Sequence, residues 1–363
     1  MVNQSNPNHR KEPAENPNRR RTFYMVNLIF MGCLTILSLL LAVSAILLPG
    51  LLGKGGGKKL YTRSRIEEIK SAAAQEKEEE LLSRMESSLE AGSSMTQVLR
   101  EVFHDRVVVV SDGRFFFYPV SEKAEKNVLA SGSLQRRDDI VVCASDTPST
   151  QISRGVLLSD DNGKIDWNRL ADSEIGEVMI TVGVVTERGF TEDEQYERNC
   201  RKAAEKGIRA GLCVKVRGIA DREILSEAAE AAAAMIRKYG PLSQDGTLDR
   251  AVLLRIHTQE DMREDEKKKR EWTGTVRQLC SLLEEKGSAP VLGMSLFTCA
   301  AQIDLDELYS YDRWLINHEQ TPGCPYRFSF WEYTGSGRAE GVPGNAVLYA
   351  RITYTEQDGS AQE

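Results

Sequence analysis

The chain has 363 residues, 41% hydrophobic and 28% charged, with a formal net charge of −7 at pH 7. These globular proportions exclude a chain disordered throughout, and the acidic balance gives no electrostatic footing for nucleic acid. The length admits two ordinary domains, or a single α/β barrel of about 200 residues with appendages.

Residues 1–21 are polar and rich in Pro, Asn and Arg, and are expected to be a disordered tail. No charge occurs from Thr22 to Gly53, and Phe23 to Leu48 is almost continuously apolar. A helix of that length crosses a hydrocarbon core of about 30 Å, so residues 22–53 are expected to be a transmembrane helix, with 23–48 in contact with lipid. Val43-Ser44-Ala45 imitates a signal-peptide cleavage site, but the apolar run exceeds the roughly 7 to 15 residues of such a peptide. An uncleaved anchor is the reading. Basic residues flank both ends and their count alone does not orient the helix; the cluster Arg19-Arg20-Arg21 favours a cytoplasmic N-terminus and an extracytoplasmic C-terminal domain.

Residues 54–92 read as a Gly/Lys spacer and a charged helical stalk or short coiled coil. The spacer Gly53-Lys54-Gly55-Gly56-Gly57-Lys58-Lys59 lacks the order of a phosphate-cradling loop, and the stalk repeats Ile66, Ile69, Ala73, then Leu81, Met85 and Leu89. Residues 93–150 read as a small α+β segment and linker. Val98, Leu99, Val102 and Phe103 mark a helix, and 107–110 and 115–120 form strands around the turn Ser111-Asp112-Gly113-Arg114. Phe115 to Tyr118 are expected to pack on that helix, and 121–150 to link onward. The seven cysteines include no CxxC pair, which argues against a zinc site and leaves buried thiols or one or two disulfides. No cofactor or metal is expected.

From 151 to 356 apolar strands alternate with helices, ending in a short tail at 357–363. Strands at GVLLS, VMITVGVV, LCVKV, AVLLRIH, APVLGMSL, RWLINHE, RFSFWEY and AVLYARITY are separated by helices that include an Ala-rich one at 221–239 and a short DELYSYD helix. So many repeats favour a closed α/β barrel over an open sheet.

Within this region Gly163-Lys164-Ile165-Asp166-Trp167 follows the first strand, then come Asp193, Tyr196 and Asn199, and Ala203, Gly207 and Gly211. Trp314-Leu315-Ile316 follows, and the chain closes on Phe330-Trp331-Glu332-Tyr333-Thr334 with Gly337, Gly341 and Gly344. In order and spacing, Gly155 to about Tyr354 resembles glycoside hydrolase family 25, lysozymes that cut peptidoglycan at N-acetylmuramic acid. The resemblance implies a TIM-like (β/α) barrel, here preceded by one transmembrane helix and a small helix-plus-hairpin segment, with peptidoglycan glycan strands as partner.

The resemblance also shows where the chemistry departs. The family's strand-end carboxylates map onto Leu157, Arg255, His257 and, near the end of the chain, Val347. Glycosidic cleavage needs an acid to protonate the leaving oxygen and usually a second carboxylate, and losing a general acid typically costs about 10² to 10⁴ in rate. Leu157 and Val347 can do neither, Arg255 would oppose an oxocarbenium-like charge, and His257 brings no anionic partner. Asp160, Asp161, Glu260 and Asp261 lie near the mapped positions and read as loop carboxylates. Glu332 replaces the family's usual Gln and, with His257, is the only candidate catalytic group. Leu157, Arg255, His257, Trp331, Glu332 and Tyr333 are expected to line a glycan groove in which Arg255 and His257 meet peptidoglycan carboxylates. Trp314 is a further candidate for sugar stacking, and Cys213 reads as a buried thiol. The expectation is a membrane-anchored pseudo-lysozyme. Its rivals are a muramidase with relocated chemistry and a structural envelope protein that recruits a protein partner through 64–120.

Overall fold

Strands with apolar side chains on both faces must be covered on both, and a barrel wrapped in helices does this while leaving no open edge. The computed structural model describes residues 63–129, 132–144, 150–239, 250–257 and 265–354. The tail, the apolar run at 22–53, the Gly/Lys spacer and the C-terminal tail lie outside the described residues. Among the described residues no helix is long and apolar enough to cross a membrane.

The chain divides into two units, one ending at Ser93 and one beginning at Ser94. The first contributes α1 (Arg63–Glu90), the expected charged helix. Ion pairs one turn apart run along it, with Arg65 to Glu68 at 2.7 Å and Arg84 to Glu80 at 3.7 Å. Pairs of this exposed kind each add about 0.3–0.5 kcal/mol. Leu81 and Met85 are half-buried, whereas Leu89 is exposed.

The second unit opens with α2 (Met95–Val102), where Ser94 and Gln97 form a capping box. The hairpin β1 (Arg106–Ser111) and β2 (Arg114–Pro119) follows as expected, with Ser111 opposite Arg114. Its turn places Asp112 at φ 50° and Gly113 at φ 69°, the double left-handed geometry that favours Asp-Gly. Phe117 meets Phe103 of the preceding helix edge to face at 5.0 Å.

Where a linker is expected, a second hairpin forms from β3 (Leu134–Arg137) and β4 (Ile140–Cys143). The backbone of this segment bonds to the barrel: Arg136 N donates to Gln320 O at 2.8 Å, Asn127 N to Pro325 O at 2.9 Å, and Arg327 N to Glu125 O at 2.9 Å. Leu134 and Ala124 are buried beneath it. Backbone groups paired in this way tie the segment down.

The barrel strands are β5 (Thr150–Leu158), β6 (Glu177–Thr186), β8 (Arg209–Val216), β9 (Ala251–Ile256), β10 (Ala289–Ser295), β11 (Asp312–Ile316), β12 (Phe330–Gly337) and β13 (Ala346–Tyr354). A short β7 (Gly189–Glu192) folds back on β6. Each strand pairs in parallel with the next until β13, which runs antiparallel between β12 and β5, and the β5–β6 pairing closes the ring. Because β13 returns directly from β12 through a short loop, it needs no crossover helix.

Helices α3 (Trp167–Ala171), α4 (Tyr196–Lys206), α5 (Arg222–Tyr239) and α6 (Glu266–Glu285) cover the outside between β5 and β10. The expected DELYSYD helix is only a single 3-10 turn at Leu305–Glu307, with the Asp304 carboxylate accepting from Asp306 N at 3.0 Å.

Inside the ring Leu157, Met179, Cys213, Leu253, Val291, Trp314, Phe330 and Tyr349 pack together. Three glycines make the room. A Cβ on Gly155 would lie 2.1 Å from Tyr349 Cζ, one on Gly211 2.6 Å from Met179 Sδ, and one on Gly293 2.7 Å from Leu253 Cδ1.

Candidate functional site

The strands β5 to β12 end on the same rim, where barrel chemistry is usually housed. Alternation fixes which side chains turn inward there. Leu157 and Val347 are opposite one another across β5 and β13 and join the apolar interior. Lys215, Arg255 and Gly293 share one layer across β8, β9 and β10, and Ile316 is opposite Glu332. The four positions singled out from the sequence therefore hold two aliphatic side chains, a guanidinium and, one step past the end of β9, His257.

Glu332 is the centre of this rim and is fully buried. Arg255 grips it through Nη2 to Oε1 at 2.8 Å and Nε to Oε2 at 3.1 Å. The Trp314 indole N–H donates to Oε2 at 3.2 Å, and His318 Nε2 lies 3.2 Å from Oε1. Burial pushes the carboxyl up, but the hydrogen bonds from His318 and Arg255, with the guanidinium charge, outweigh it and hold the pKa down to about 2. So held, Glu332 favours its ionised form and accepts hydrogen bonds, whereas a general acid must carry a proton to donate. Burial, then the charges of Arg255 and Arg217, push the His257 pKa below its ordinary value and disfavour the charged imidazolium.

Two expected groove residues turn the other way. Trp331 and Tyr333 alternate with Glu332 and point outward into the layer around the barrel, where both are fully buried. The Trp331 indole donates to Asn317 O at 2.7 Å and Tyr333 Oη to Asp139 O at 2.8 Å. Trp314 points inward but is also fully buried, stacked on Phe330 at 5.3 Å and tilted against Tyr349 at 4.3 Å. None of the three can stack on a sugar ring in this arrangement.

His318 and Lys215 are the rim residues that sequence reasoning misses. His318 lies two positions beyond Ile316 and four beyond Trp314, so the alternation of β11 was the available signal. Its loop is held by the segment preceding the barrel. Arg136 Nη1 donates to His318 O at 3.0 Å and Tyr333 O at 2.9 Å, Arg100 grips Glu319 at 2.6 and 3.2 Å, and Gln97 donates to Thr321 at 2.7 Å.

Among the described residues, the loop carboxylates after β5 and before α4 have structural partners. Asp193 accepts from the backbone N–H groups of Asp160 at 2.8 Å and Gln195 at 2.9 Å, tying the loop after β5 to the start of α4. Asp161 is highly exposed and lies 3.8 Å from Lys215 Nζ. Glu260 and Asp261 lie outside the described residues. The six cysteines among the described residues are free, and burial pushes the Cys213 thiol up to about 12, so it is no nucleophile. Among the described residues no cluster of His, Cys, Asp and Glu is placed to hold a metal ion.

No protein-family model and no curated protein matches this chain. Among solved structures it is similar to the modular autolysin LytC of Streptococcus pneumoniae, at 17% identity and a TM-score of 0.47, over 67% of this chain and 57% of that one. A second structure of that autolysin, in complex with a synthetic peptidoglycan ligand, matches at 15% identity with a TM-score of 0.45 over the same shares. A family 25 glycosyl hydrolase from Bacillus anthracis matches at 16% identity with a TM-score of 0.42, over 56% of this chain and 89% of that one. The chain thus spans 57% of the length of the autolysin.

Proposed function

We propose that this is a membrane-anchored, extracytoplasmic protein whose lysozyme-like barrel binds bacterial peptidoglycan without ordinary muramidase chemistry. The order of the sequence fragments shared with family 25 supports the peptidoglycan assignment, and the apolar run at 23–48 supports the anchor. The observation that carries this reading is the Arg255–Glu332 pair at 2.8 Å: among the described residues, the carboxylate at the centre of the rim is buried and held by a guanidinium. A glycosidase needs a protonated carboxyl beside the leaving oxygen and a second group beneath the anomeric carbon. Here the first is ionised, and the mapped alternatives are Leu157 and Val347.

Full-length protein in detergent, incubated with purified sacculi, is expected to co-sediment with them and to release no muropeptides. Release at the rate of an active lysozyme would refute the pseudo-enzyme reading, and failure to co-sediment would refute the binding role. Reporter fusions placed after Leu60 test the topology: activity confined to the cytoplasmic side would overturn the extracytoplasmic assignment.

One observation favours a second reading, an interaction protein of the envelope. The β1–β2 hairpin exposes Val110, Phe115 and Phe117, at 46%, 40% and 38% of their surface. Val110 and Phe115 are cross-strand neighbours. A stoichiometric partner that is lost on Phe115→Ser substitution, in protein that no longer co-sediments with sacculi, would select this reading.

A further inference from the structure

The rim differs from an ordinary sugar site in the kind of hydrogen-bonding groups it offers. A neutral sugar presents hydroxyls that both donate and accept, and it is met by acceptors and donors together. Lysine and arginine donate only. Lys215 and Arg255 are register neighbours on β8 and β9 and turn to the same face. The side chain of Lys215 is only 13% exposed, and its counter-ion Asp161 is 84% exposed and 3.8 Å away, a loose surface contact. Among the described residues Arg255 commits Nε and Nη2 to Glu332 and keeps Nη1 on the other limb of the guanidinium, with the side chain 22% exposed. Glu332 in turn is spent on Arg255, Trp314 and His318, so it fixes the guanidinium in place and offers an incoming molecule no free acceptor.

We infer that the barrel rim is an oxyanion site in which Lys215 Nζ and Arg255 Nη1 together grip a carboxylate or phosphate group, with Arg255 held ready by Glu332. His257 and His318 flank the site, and Arg217 adds its charge from beside His257. The grip is charge-assisted, and on a strand-borne pair it requires no rearrangement of the barrel. This inference rests on the reading of the rim as a binding site and names the chemistry of what it binds. It also changes the expected role of His257, whose charged form burial and the neighbouring guanidinium groups disfavour.

The test uses full-length protein in detergent at fixed ionic strength, titrated calorimetrically with inorganic phosphate, N-acetylmuramic acid and N-acetylglucosamine. Sacculus co-sedimentation is run in parallel. Binding of phosphate or N-acetylmuramic acid, but not of the uncharged N-acetylglucosamine, is expected, and the two charged probes separate a phosphate source from a carboxylate one. Removing one partner of a charge-assisted hydrogen bond costs roughly ten- to a hundredfold in affinity, so Lys215→Met should weaken binding by that factor. Lys215→Arg should retain most of it, which separates loss of charge from loss of fold. Equal affinities in wild type and Lys215→Met, or no oxyanion binding by protein that still co-sediments with sacculi, would overturn the inference and leave the binding role standing. Lys215-dependent oxyanion binding without co-sedimentation would uphold the site and overturn the peptidoglycan reading.

Discussion

Substituting Arg255 by Met leaves the Glu332 carboxylate inside the barrel with only the Trp314 indole and His318 for company. Breaking a buried ion pair from one side typically costs about 3–5 kcal/mol, because the remaining charge is uncompensated. An independent figure comes from the carboxyl itself. A group held at about 2 instead of its ordinary 4.5 corresponds to about 3 kcal/mol of stabilisation at neutral pH. The folded value lies below the unfolded one, so this stability is fully present above about pH 4.5 and is lost as pH falls toward 2. The assay is urea unfolding followed by circular dichroism at pH 7 and pH 3. Wild type is compared with Glu332→Gln, Arg255→Met and the double variant Arg255→Met/Glu332→Leu. Arg255→Met should lose about 3–5 kcal/mol at pH 7, and the double variant should recover most of it, because two apolar side chains leave no buried charge. Glu332→Gln should lose less of its stability between pH 7 and pH 3 than wild type does. If Arg255→Met costs less than about 1 kcal/mol and the double variant is no more stable than the single one, the buried pair does not hold the rim as argued.

Gly155→Ala would drive a methyl to within 2.1 Å of Tyr349 Cζ in a filled interior; overpacking of this kind costs about 1–3 kcal/mol, and an unchanged thermal midpoint would show that the ring has slack. Arg100→Ala should free the loop that carries His318, raising amide hydrogen exchange across 317–321 while leaving β6 and β8 protected, and uniform exchange in variant and wild type would remove the claimed clamp. Cys213, with its pKa near 12 and no exposure, should resist iodoacetamide at pH 8 until the protein is unfolded, as read by peptide mass mapping. Labelling of Cys213 in the native protein would mean that the barrel interior opens.

Several of the fragments that carry the family resemblance were legible because their work is local, as at Asp166 and Gly207, while Gly341 works at long range. Asp166 caps α3 by accepting from Asn168 and Arg169 N–H at 3.2 Å, and Gly207 ends α4 at φ 64°. Gly341 lies so close that a Cβ would be 2.3 Å from Asp166 O. These are scaffold duties. The apolar alternation of strands and helices likewise announced the barrel, and the Asp-Gly turn announced the first hairpin. The second hairpin was not announced, because its strands carry Gln135, Arg136 and Arg137 and its turn is Asp138-Asp139, and it is held by partners in the distant loop 317–327.

By itself, then, the sequence determined the order of most elements and the apolar run near the N-terminus, since each depends on neighbours along the chain. The tertiary structure alone decided which faces those strands present. Both faces of β12 are buried, so alternation of hydrophobicity, the signal that separates inside from outside, is missing there, and Trp331 and Tyr333 turned outward unannounced. It alone also joined Glu332 to Arg255 across 77 positions of chain. That contact makes Glu332 the counter-ion of Arg255, and a carboxylate's proton affinity is set by what folding brings beside it.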